Sequence, residues 1–216
     1  MSAILKRCAV TAMAGAVLLL AGCTQSATPS ASDQSAAAAK PAAPAAPPEP
    51  VAAKTAYWPM YTAARSWATD LVALDVSERE VPGFKNADGK AAMWQATFGS
   101  PSLRQYRVYS YSIATVQPDI YKGVTAGLQQ PWAGATRNQM PIDTSVFNVD
   151  SDAAYQAAAA SAADWLKTNP TKTLSSIDLG QTFKIPGPAW YLVWGSNKSG
   201  YAVFVDATSG KVLKGK

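Results

Sequence analysis

The apolar positions of the chain fall into three zones. A mostly apolar run covers residues 9–20, Ala, Pro and Ser dominate residues 24–55, and bulky apolar residues recur at regular spacings from residue 57 onward. The first run is shorter than an ordinary membrane span, and the second lacks the large side chains that a core needs. The third is long enough to build a core. We therefore expect one folded region, preceded by a leader and a linker.

Two helices and several strands are predicted in the folded region. A stripe of apolar residues at helical spacing predicts a helix over 57–73, and an Ala-rich helix is expected up to Lys167, with Ser151 or Asp152 as its N-cap. Alternating aromatic and β-branched segments predict strands at 73–81, 91–98, 104–116, 174–185, 189–194, 200–206 and 211–213. Because such a sheet needs one covered face and the helices can cover it, the expected fold class is α+β.

The folded region contains an internal similarity. Residues 94–100 can be laid on residues 190–196, which matches two aromatic positions and a Gly-Ser pair, and upstream Tyr61 matches Tyr155 within Ala-rich stretches. This similarity predicts two tandem repeats, each a helix followed by an antiparallel sheet. The predicted boundaries are 56–117 for the first repeat, 118–149 for the connection and 150–216 for the second repeat.

The N-terminal segment has the layout of a secretory signal. Lys6 and Arg7 precede the apolar run, and small residues precede Cys23. Residues 20–23, Leu-Ala-Gly-Cys, resemble the bacterial lipobox. The resemblance implies a signal peptide over 1–22, cleavage before Cys23, and acylation of the cysteine with palmitate-like chains that anchor the mature protein. A plain N-terminal anchor, or cleavage elsewhere with Cys23 incidental, is the alternative.

Residues 23–55 are expected to comprise the lipidated cysteine and a disordered linker. Many prolines, few charges and no large apolar side chain before Val51 leave this segment without a core. Its average reach is on the order of 30 Å. By resemblance to Gram-negative sorting rules, Thr24 after the lipidated cysteine favours the outer membrane, facing the periplasm. The expected location is therefore the cell envelope, with attachment through the lipid.

Composition limits the chemistry that the chain can perform. There is no histidine, and the two cysteines are Cys8, in the expected leader, and Cys23. Catalytic groups that use histidine and zinc sites that contain histidine are therefore excluded. No disulfide is expected in the mature protein. The formal net charge of +5 falls by two on removal of the leader, and Lys and Arg are dispersed, so we expect no nucleic-acid partner. No catalytic residue, metal or cofactor is predicted.

The C-terminal segment resembles a PepSY domain. Residues 188–194 and 200–213 follow the pattern with which those domains commonly end: a tryptophan-bearing strand, a short hairpin and Val-Asp-Ala-x-Thr-Gly-Lys-Val. Ser209 stands where the family often has threonine, and one residue is missing before it. The resemblance implies a small cystatin-like helix-plus-sheet fold, export or membrane attachment, and a binding or regulatory role. It transfers no catalytic residue.

The acidic residues have structural interpretations. Asp206 is expected to accept backbone hydrogen bonds within a turn. Asp150 and Asp152 lack the spacing of a calcium loop and are expected to serve helix capping. The remaining carboxylates, expected on a solvated strand face, are Asp75, Glu78 and Glu80.

A peptidase-inhibitor function is an alternative. Residues 95–99 are similar to the Gln-x-Val-x-Gly hairpin of cystatins, with Thr97 in place of valine, and Pro131-Trp132 resembles the Pro-Trp of their second inhibitory hairpin. Together these segments would form a wedge that blocks a peptidase cleft. The sequence is also compatible with a structural role in envelope assembly, or with a hydrolase that uses Ser and Lys or carboxylates.

The expected function is a non-catalytic envelope protein that binds or regulates a protein, peptide or glycan. Residues 117–140 form a long connection rich in Gly and Pro. Long loops on a rigid scaffold often carry recognition, and aromatic and Arg side chains supply much interface energy. Trp132, with Tyr121 and Arg137, is therefore the predicted contact surface. The alternative is that Trp132 folds back into a cleft between the repeats.

Overall fold

A computed structural model describes residues 47–196 and 199–213 of the chain. The first half contains α1 (Ala53–Arg65), β1 (Val72–Arg79), β2 (Met93–Ser100), β3 (Gln105–Ser112), β4 (Gly123–Ala126) and β5 (Gln130–Pro131). After a 3₁₀ turn at Thr144–Val146, the second half contains α2 (Ser151–Ser161), α3 (Ala163–Thr168), β6 (Leu174–Gly180), β7 (Ala189–Trp194), β8 (Tyr201–Asp206) and β9 (Val212–Leu213). The predicted α+β class is confirmed.

The nine strands form one antiparallel sheet. Their order is β4-β3-β2-β1-β6-β7-β8-β9, and β5 also pairs with β3. The two halves therefore share a single sheet, joined where β1 pairs with β6 and Val76 lies opposite Leu179. Because successive strand residues point to opposite faces, this register assigns each side chain to one of two surfaces.

Both α1 and α2 pack on the same face of the sheet. Trp94 in β2 and Trp190 in β7 are fully buried there, and their rings meet edge to face with centroids 6.4 Å apart. Each indole N–H donates to a backbone carbonyl at 2.9 Å, Trp94 to Val51 just before α1 and Trp190 to Val149 just before α2. Since a buried indole N–H needs an acceptor, these bonds fix the start of both helices against the sheet.

Residues at the N-terminus of α2 cap both helices. Asp150 is the N-cap of α2, and its Oδ1 accepts hydrogen bonds from the backbone N–H groups of Ser151 (2.8 Å) and Lys54 (3.0 Å). The Ser151 hydroxyl accepts from the N–H of Ala53 at 2.9 Å. The prediction of Ser151 or Asp152 as the N-cap of α2 is therefore wrong, because the Ser151 hydroxyl bonds to α1, whereas the capping role expected for Asp150 is confirmed.

Helix α1 begins and ends earlier than the predicted 57–73. Ala53 and Ala56 are fully buried, but such small side chains give little periodic signal, and the groups that cap this end come from a distant part of the chain. At the other end the N–H of Trp67 turns back to the Ala64 carbonyl at 2.9 Å, which closes the helix.

Two further elements stop sooner than expected. The helix predicted to run through Lys167 is divided at Ala162 into α2 and α3. The strand predicted over 104–116 stops at Ser112 because the Ser112 hydroxyl donates to the Ala114 carbonyl at 2.7 Å, which forms a local turn. Such local side-chain bonds compete with the strand ladder.

The connection between the halves is more ordered than its Gly and Pro content predicts. Part of it adds β4 and β5 to the sheet. A later part bonds to the segment after β6, where the N–H of Met140 donates to the Gln181 carbonyl and the N–H of Phe183 donates to the Arg137 carbonyl, both at 2.9 Å. Because residues 181–183 bond to the connection instead of to β7, β6 ends at Gly180 and not at residue 185, where the predicted strand ends.

Candidate functional site

The face of the sheet opposite the helices carries a cleft. We call this side of the sheet the helix-free face; the side chains of Asp75 and Ser77 in β1 and Thr97 in β2 lie on it. The cleft has a volume of about 260 Å³, and its lining includes Leu74, Asp75, Gln139, Asp178, Tyr191 and Phe204. Residues of β1, β6, β7 and β8 form its floor and the connection forms one wall; we refer to it as the sheet cleft.

A β-bulge in β1 shapes one side of the sheet cleft. The pairing of β1 with β2 shifts between Ala73 and Asp75, so Leu74 is the extra residue. Leu74 is 2% exposed, yet it lies outside the core beneath the helices and lines the cleft instead. The Ala73 carbonyl accepts the N–H of Ile142 at 2.8 Å, which holds the connection beside the bulge.

Asp75 is held in place by two side chains. Its Oδ1 accepts a hydrogen bond from the Thr97 hydroxyl (3.2 Å) and its Oδ2 accepts one from the Gln139 amide (3.1 Å). Burial raises the pKa of Asp75, and these hydrogen bonds and the Arg79 charge offset that effect only in part. Asp75 is therefore held in a fixed position, and the two hydrogen bonds and the Arg79 charge offset the cost of burying its charged form only in part.

Asp178 supplies a second carboxylate to the sheet cleft. In the β1–β6 register, Asp75 lies opposite Gly180 and Ser77 opposite Asp178, so the two carboxylates are diagonal neighbours on one face. Burial raises the pKa of Asp178; a hydrogen bond from the Ser176 side chain and the Arg79 charge offset this effect in part, and the nearby Asp75 charge adds to it. Two acidic groups therefore converge here, although they are far apart in sequence.

An aromatic surface continues from Asp178 across the next two strands. Tyr191 lies opposite Asp178, and Phe204 lies opposite Tyr191. The two rings stack with centroids 4.6 Å apart and an interplanar angle of 30°. The sheet cleft thus combines carboxylates on one side with flat apolar surface on the other.

Glu78 is a third perturbed carboxylate of β1, but it lies opposite Trp94 in the register, on the helix side. Burial, with a contribution from the Asp178 charge, raises the pKa of Glu78 to about 7. Its Oε2 accepts a hydrogen bond from the Asn86 amide at 3.3 Å. The expectation of a solvated strand face is therefore wrong for Asp75 and Glu78, because other parts of the chain, which include Gln139 and Asn86, pack over these side chains.

The predicted contact residues lie in separate places. Tyr121 precedes β4 and is 52% exposed. Trp132 follows β5, and its ring covers Gly99 so closely that a Cβ added there would lie 2.9 Å from it. The Arg137 guanidinium stacks over the Phe183 ring at 4.0 Å from the centroid.

These three side chains do not form one surface. The strand after Tyr121 begins opposite Ser112, whereas β5, just before Trp132, lies opposite Gln105, so the two aromatic residues flank opposite ends of β3. Trp132 does fold back, but onto β2 within the first half rather than between the halves. A binding role for each of them stays a prediction.

The cystatin-like wedge is not formed. Residues 95–99 lie inside β2, between β1 and β3, and residues 101–104 make the hairpin turn instead. Trp132 lies flat on Gly99 rather than projecting as a second tip. The geometric argument for peptidase inhibition is therefore lost.

Asp206 has the turn role predicted for it. Its Oδ1 accepts hydrogen bonds from the backbone N–H groups of Thr208 (2.9 Å) and Ser209 (2.7 Å), and Gly210 follows with φ of 74°. Although partial burial acts the other way, these bonds lower the pKa of Asp206. Within the part of the chain that the structure describes, no group of three acidic or cysteine side chains is placed to hold a metal ion.

The leader and the expected lipidation site, Cys23, lie outside the described residues. Within residues 47–196 and 199–213, no helix has both the length and the apolar character needed to cross a membrane. Anchoring through Cys23 therefore stays a prediction from the sequence.

Comparisons with known proteins do not place the chain in a family. No protein-family profile and no curated protein matches it. A crystal structure of a candidate lipoprotein from Clostridium difficile 630 matches with 13% sequence identity and a TM-score of 0.44, covering 74% of this chain and 90% of that one. A match at this level carries no argument about fold or function, so the PepSY resemblance also stays a prediction.

Sequence reasoning missed Asp178, Gln139 and Tyr191 as site residues. Asp178 approaches Asp75 only through the β1–β6 pairing, which joins the two halves and is invisible to local patterns. One signal was available: in β6 the polar residues alternate with buried Ile177 and Leu179, which predicts a polar face. The alternation does not indicate which strand pairs with β6.

Proposed function

We propose that this chain is a lipid-anchored protein of the cell envelope that binds a partner protein, peptide or glycan and performs no catalysis. Acyl chains on Cys23 would hold it to the membrane, and the linker would let the folded region reach away from the surface. The linker ends before Val51 rather than at the predicted residue 55, because Val51 pairs with Ala91 and α1 begins at Ala53. The proposed location is the outer membrane, facing the periplasm. The sheet cleft is the proposed binding site.

The helix-free face is the observation that carries this proposal. Helices α1 and α2 cover one side of the sheet, whereas the other side presents a concave site with apolar walls and a few polar groups, the usual form of a ligand site. The volume of about 260 Å³ lies below the roughly 300–1,000 Å³ typical of pockets for drug-sized ligands. A single side chain or sugar suits it better than a large cofactor.

The state of the two carboxylates favours binding over hydrolysis. A hydrolase that uses two carboxylates needs one as acid and one as base, so their environments should push the two pKa values apart. Here burial raises the pKa of both Asp75 and Asp178, and both oxygens of Asp75 already accept hydrogen bonds. Such a pair is better suited to holding a ligand than to dividing acid and base roles.

We also propose that the two halves are PepSY-like repeats. Each half has a helix followed by antiparallel strands in the same order, and each places a buried tryptophan in its second strand. Each indole N–H bonds to the carbonyl two residues before its helix. In this correspondence Tyr57, the fifth residue of α1, matches Tyr155, the fifth residue of α2, rather than Tyr61 doing so.

Site-specific photo-crosslinking in intact cells tests the binding face. Phe183 is 47% exposed and lies in the segment that borders the sheet cleft, so a crosslinker placed there should give discrete adducts. Gln156, exposed on α2, is the matched control on the helix side and should give none. Adducts from position 156 alone would overturn the assignment of the helix-free face.

Acyl labelling tests the anchor. Cys23→Ala should abolish incorporation of a labelled fatty acid and block cleavage of the leader, because the thiol is the acceptor on which lipoprotein processing depends. A wild-type chain that matures without acylation would contradict the lipoprotein assignment.

A further inference from the structure

We propose that the sheet cleft binds an alkyl ammonium group, and that its occupant is a lysine side chain of the partner. This inference rests on the proposed function and names the chemistry of its ligand. Three features carry it: buried polar atoms without hydrogen-bond partners, carboxylates without a salt-bridge partner among the described residues, and apolar lining residues beside both.

Acceptors in and beside the sheet cleft lack partners. Gln181 lines it, and the Gln181 Oε1 is buried without a hydrogen-bond partner among the described residues. Ser77 is 4% exposed, lies on the helix-free face opposite Asp178, and its Oγ likewise has no partner within the described residues. Because buried polar atoms in folded proteins are nearly always hydrogen-bonded, a donor that enters the cleft would supply the partner that Gln181 Oε1 lacks.

The negative charge of the site is only partly compensated within the described residues. Arg79 is the cation that acts on both carboxylates, but its Nε donates to the Gln95 Oε1 at 2.7 Å and its Nη1 to the Glu78 carbonyl at 2.8 Å. Over residues 47–196 and 199–213, neither Asp75 nor Asp178 forms a salt bridge. Both carboxylates have hydrogen-bonding partners but no oppositely charged one in salt-bridge contact within that part of the chain, and a ligand cation would supply it.

The walls favour lysine over arginine. Leu74, Ile185 and Phe204 offer apolar surface along which the methylene stem of a lysine can lie while its charged end reaches the carboxylates. A guanidinium prefers a carboxylate with both oxygens free for a planar, bidentate contact. Both oxygens of Asp75 are already engaged by Thr97 and Gln139, so a compact ammonium fits the remaining acceptor positions better.

The test is an NMR titration of the full chain in neutral detergent with Nα-acetyl-lysine methylamide. Nα-acetyl-norleucine methylamide, with a similar stem and no charge, is the matched probe. The lysine compound should shift the amide resonances of Gly180 and Tyr191, and should bind about tenfold or more tightly than the norleucine compound. Asp178→Asn should remove that advantage, whereas Asp119→Asn, at an exposed position, should preserve it.

Equal binding of the two compounds, no shift at Gly180, or an Asp178→Asn chain that still prefers lysine would each overturn the inference. Thermal melting of the variant establishes that it is folded, and Asp75→Asn provides a second variant with the same expected loss. If position 183 gives crosslinks but the lysine compound does not bind, the proposed binding function is retained and the assignment of a lysine ligand is refuted. Failure of both would refute both.

Discussion

The two faces of the sheet are built from the same strands but differ in what packs against them. On the helix side, Trp94 and Trp190 are fully buried among apolar side chains, and both indole N–H groups have acceptors. On the helix-free side, Asp75 and Asp178 are partly desolvated without a salt bridge among the described residues, and the Ser77 hydroxyl has no partner there. The helix side is mainly apolar, although the Tyr57 hydroxyl and the Trp67 indole N–H there also lack partners among the described residues, whereas the helix-free side places carboxylates and an unpartnered hydroxyl beside an open cleft.

This difference means that stability and binding can be altered separately by residues one position apart. In β7, Trp190 and Leu192 enter the core beneath the helices, while Tyr191 between them lines the sheet cleft. Strand alternation produces the separation without any additional element. Substitutions on the helix side should therefore change the free energy of unfolding, and substitutions on the helix-free side should change binding.

The largest effect is expected from the two tryptophans. Trp94→Ala and Trp190→Ala should each lower the free energy of unfolding by about 3–5 kcal/mol, because each leaves a large cavity and an unpaired backbone carbonyl. Urea unfolding measures this, with Trp58→Ala, at a position 46% exposed, as the control that should change stability far less. Equal, small effects at all three positions would mean that the helix side is not the stabilising face.

A smaller effect is expected at Glu78, and it depends on pH. Since the pKa of Glu78 in the folded protein is about 7, against an ordinary value of 4.5, the folded state holds the proton more tightly than the unfolded state. Its stabilising contribution is therefore fully present below pH 4.5 and is lost as the pH rises through 7. Glu78→Gln should remove this loss and be more stable than the wild type at pH 8 by about 2 kcal/mol.

Unfolding curves at pH 4.5 and pH 8 test this prediction. Glu80→Gln, at an exposed position of the same segment, is the control and should follow the wild-type pH dependence. A Glu78→Gln chain that loses stability with pH as steeply as the wild type would show that Glu78 is not the group responsible.

Trp132→Ala should have a still smaller effect. Its ring covers Gly99 but remains partly exposed, so its removal should lower the free energy of unfolding by about 1–2 kcal/mol and leave crosslinking from position 183 unchanged. Unchanged stability with lost crosslinks would instead restore Trp132 to the contact role predicted from the sequence.

The sequence allowed the elements to be predicted better than their long-range partners. Apolar alternation located most strands, and β7 has the predicted bounds. The start of α1 was missed because Ala53 and Lys54 are capped by Ser151 and Asp150 from the other half. Periodicity reports which face a residue takes within an element, but not which distant residue meets it.

The same reason explains why the candidate site was not foreseen. The contact residues Trp132, Tyr121 and Arg137 were chosen by residue type within one segment. The sheet cleft is instead assembled by the β-bulge at Leu74 and by the pairing of β1 with β6, both of which depend on tertiary register. The turn at Asp206 and the capping bond of Asp150 were local enough for their hydrogen bonds to be predicted from the sequence.

Filling the sheet cleft without disturbing the fold tests the division between the two faces most directly. Gly180 lines the cleft, its φ is not in the left-handed region, and a Cβ added there would meet no atom within 4 Å. Gly180→Leu should therefore leave the melting temperature close to that of the wild type and abolish crosslinking from position 183. Ala202→Leu, exposed on the same face outside the cleft, should change neither. Crosslinking that survives in a folded Gly180→Leu chain would contradict the assignment of binding to this cleft.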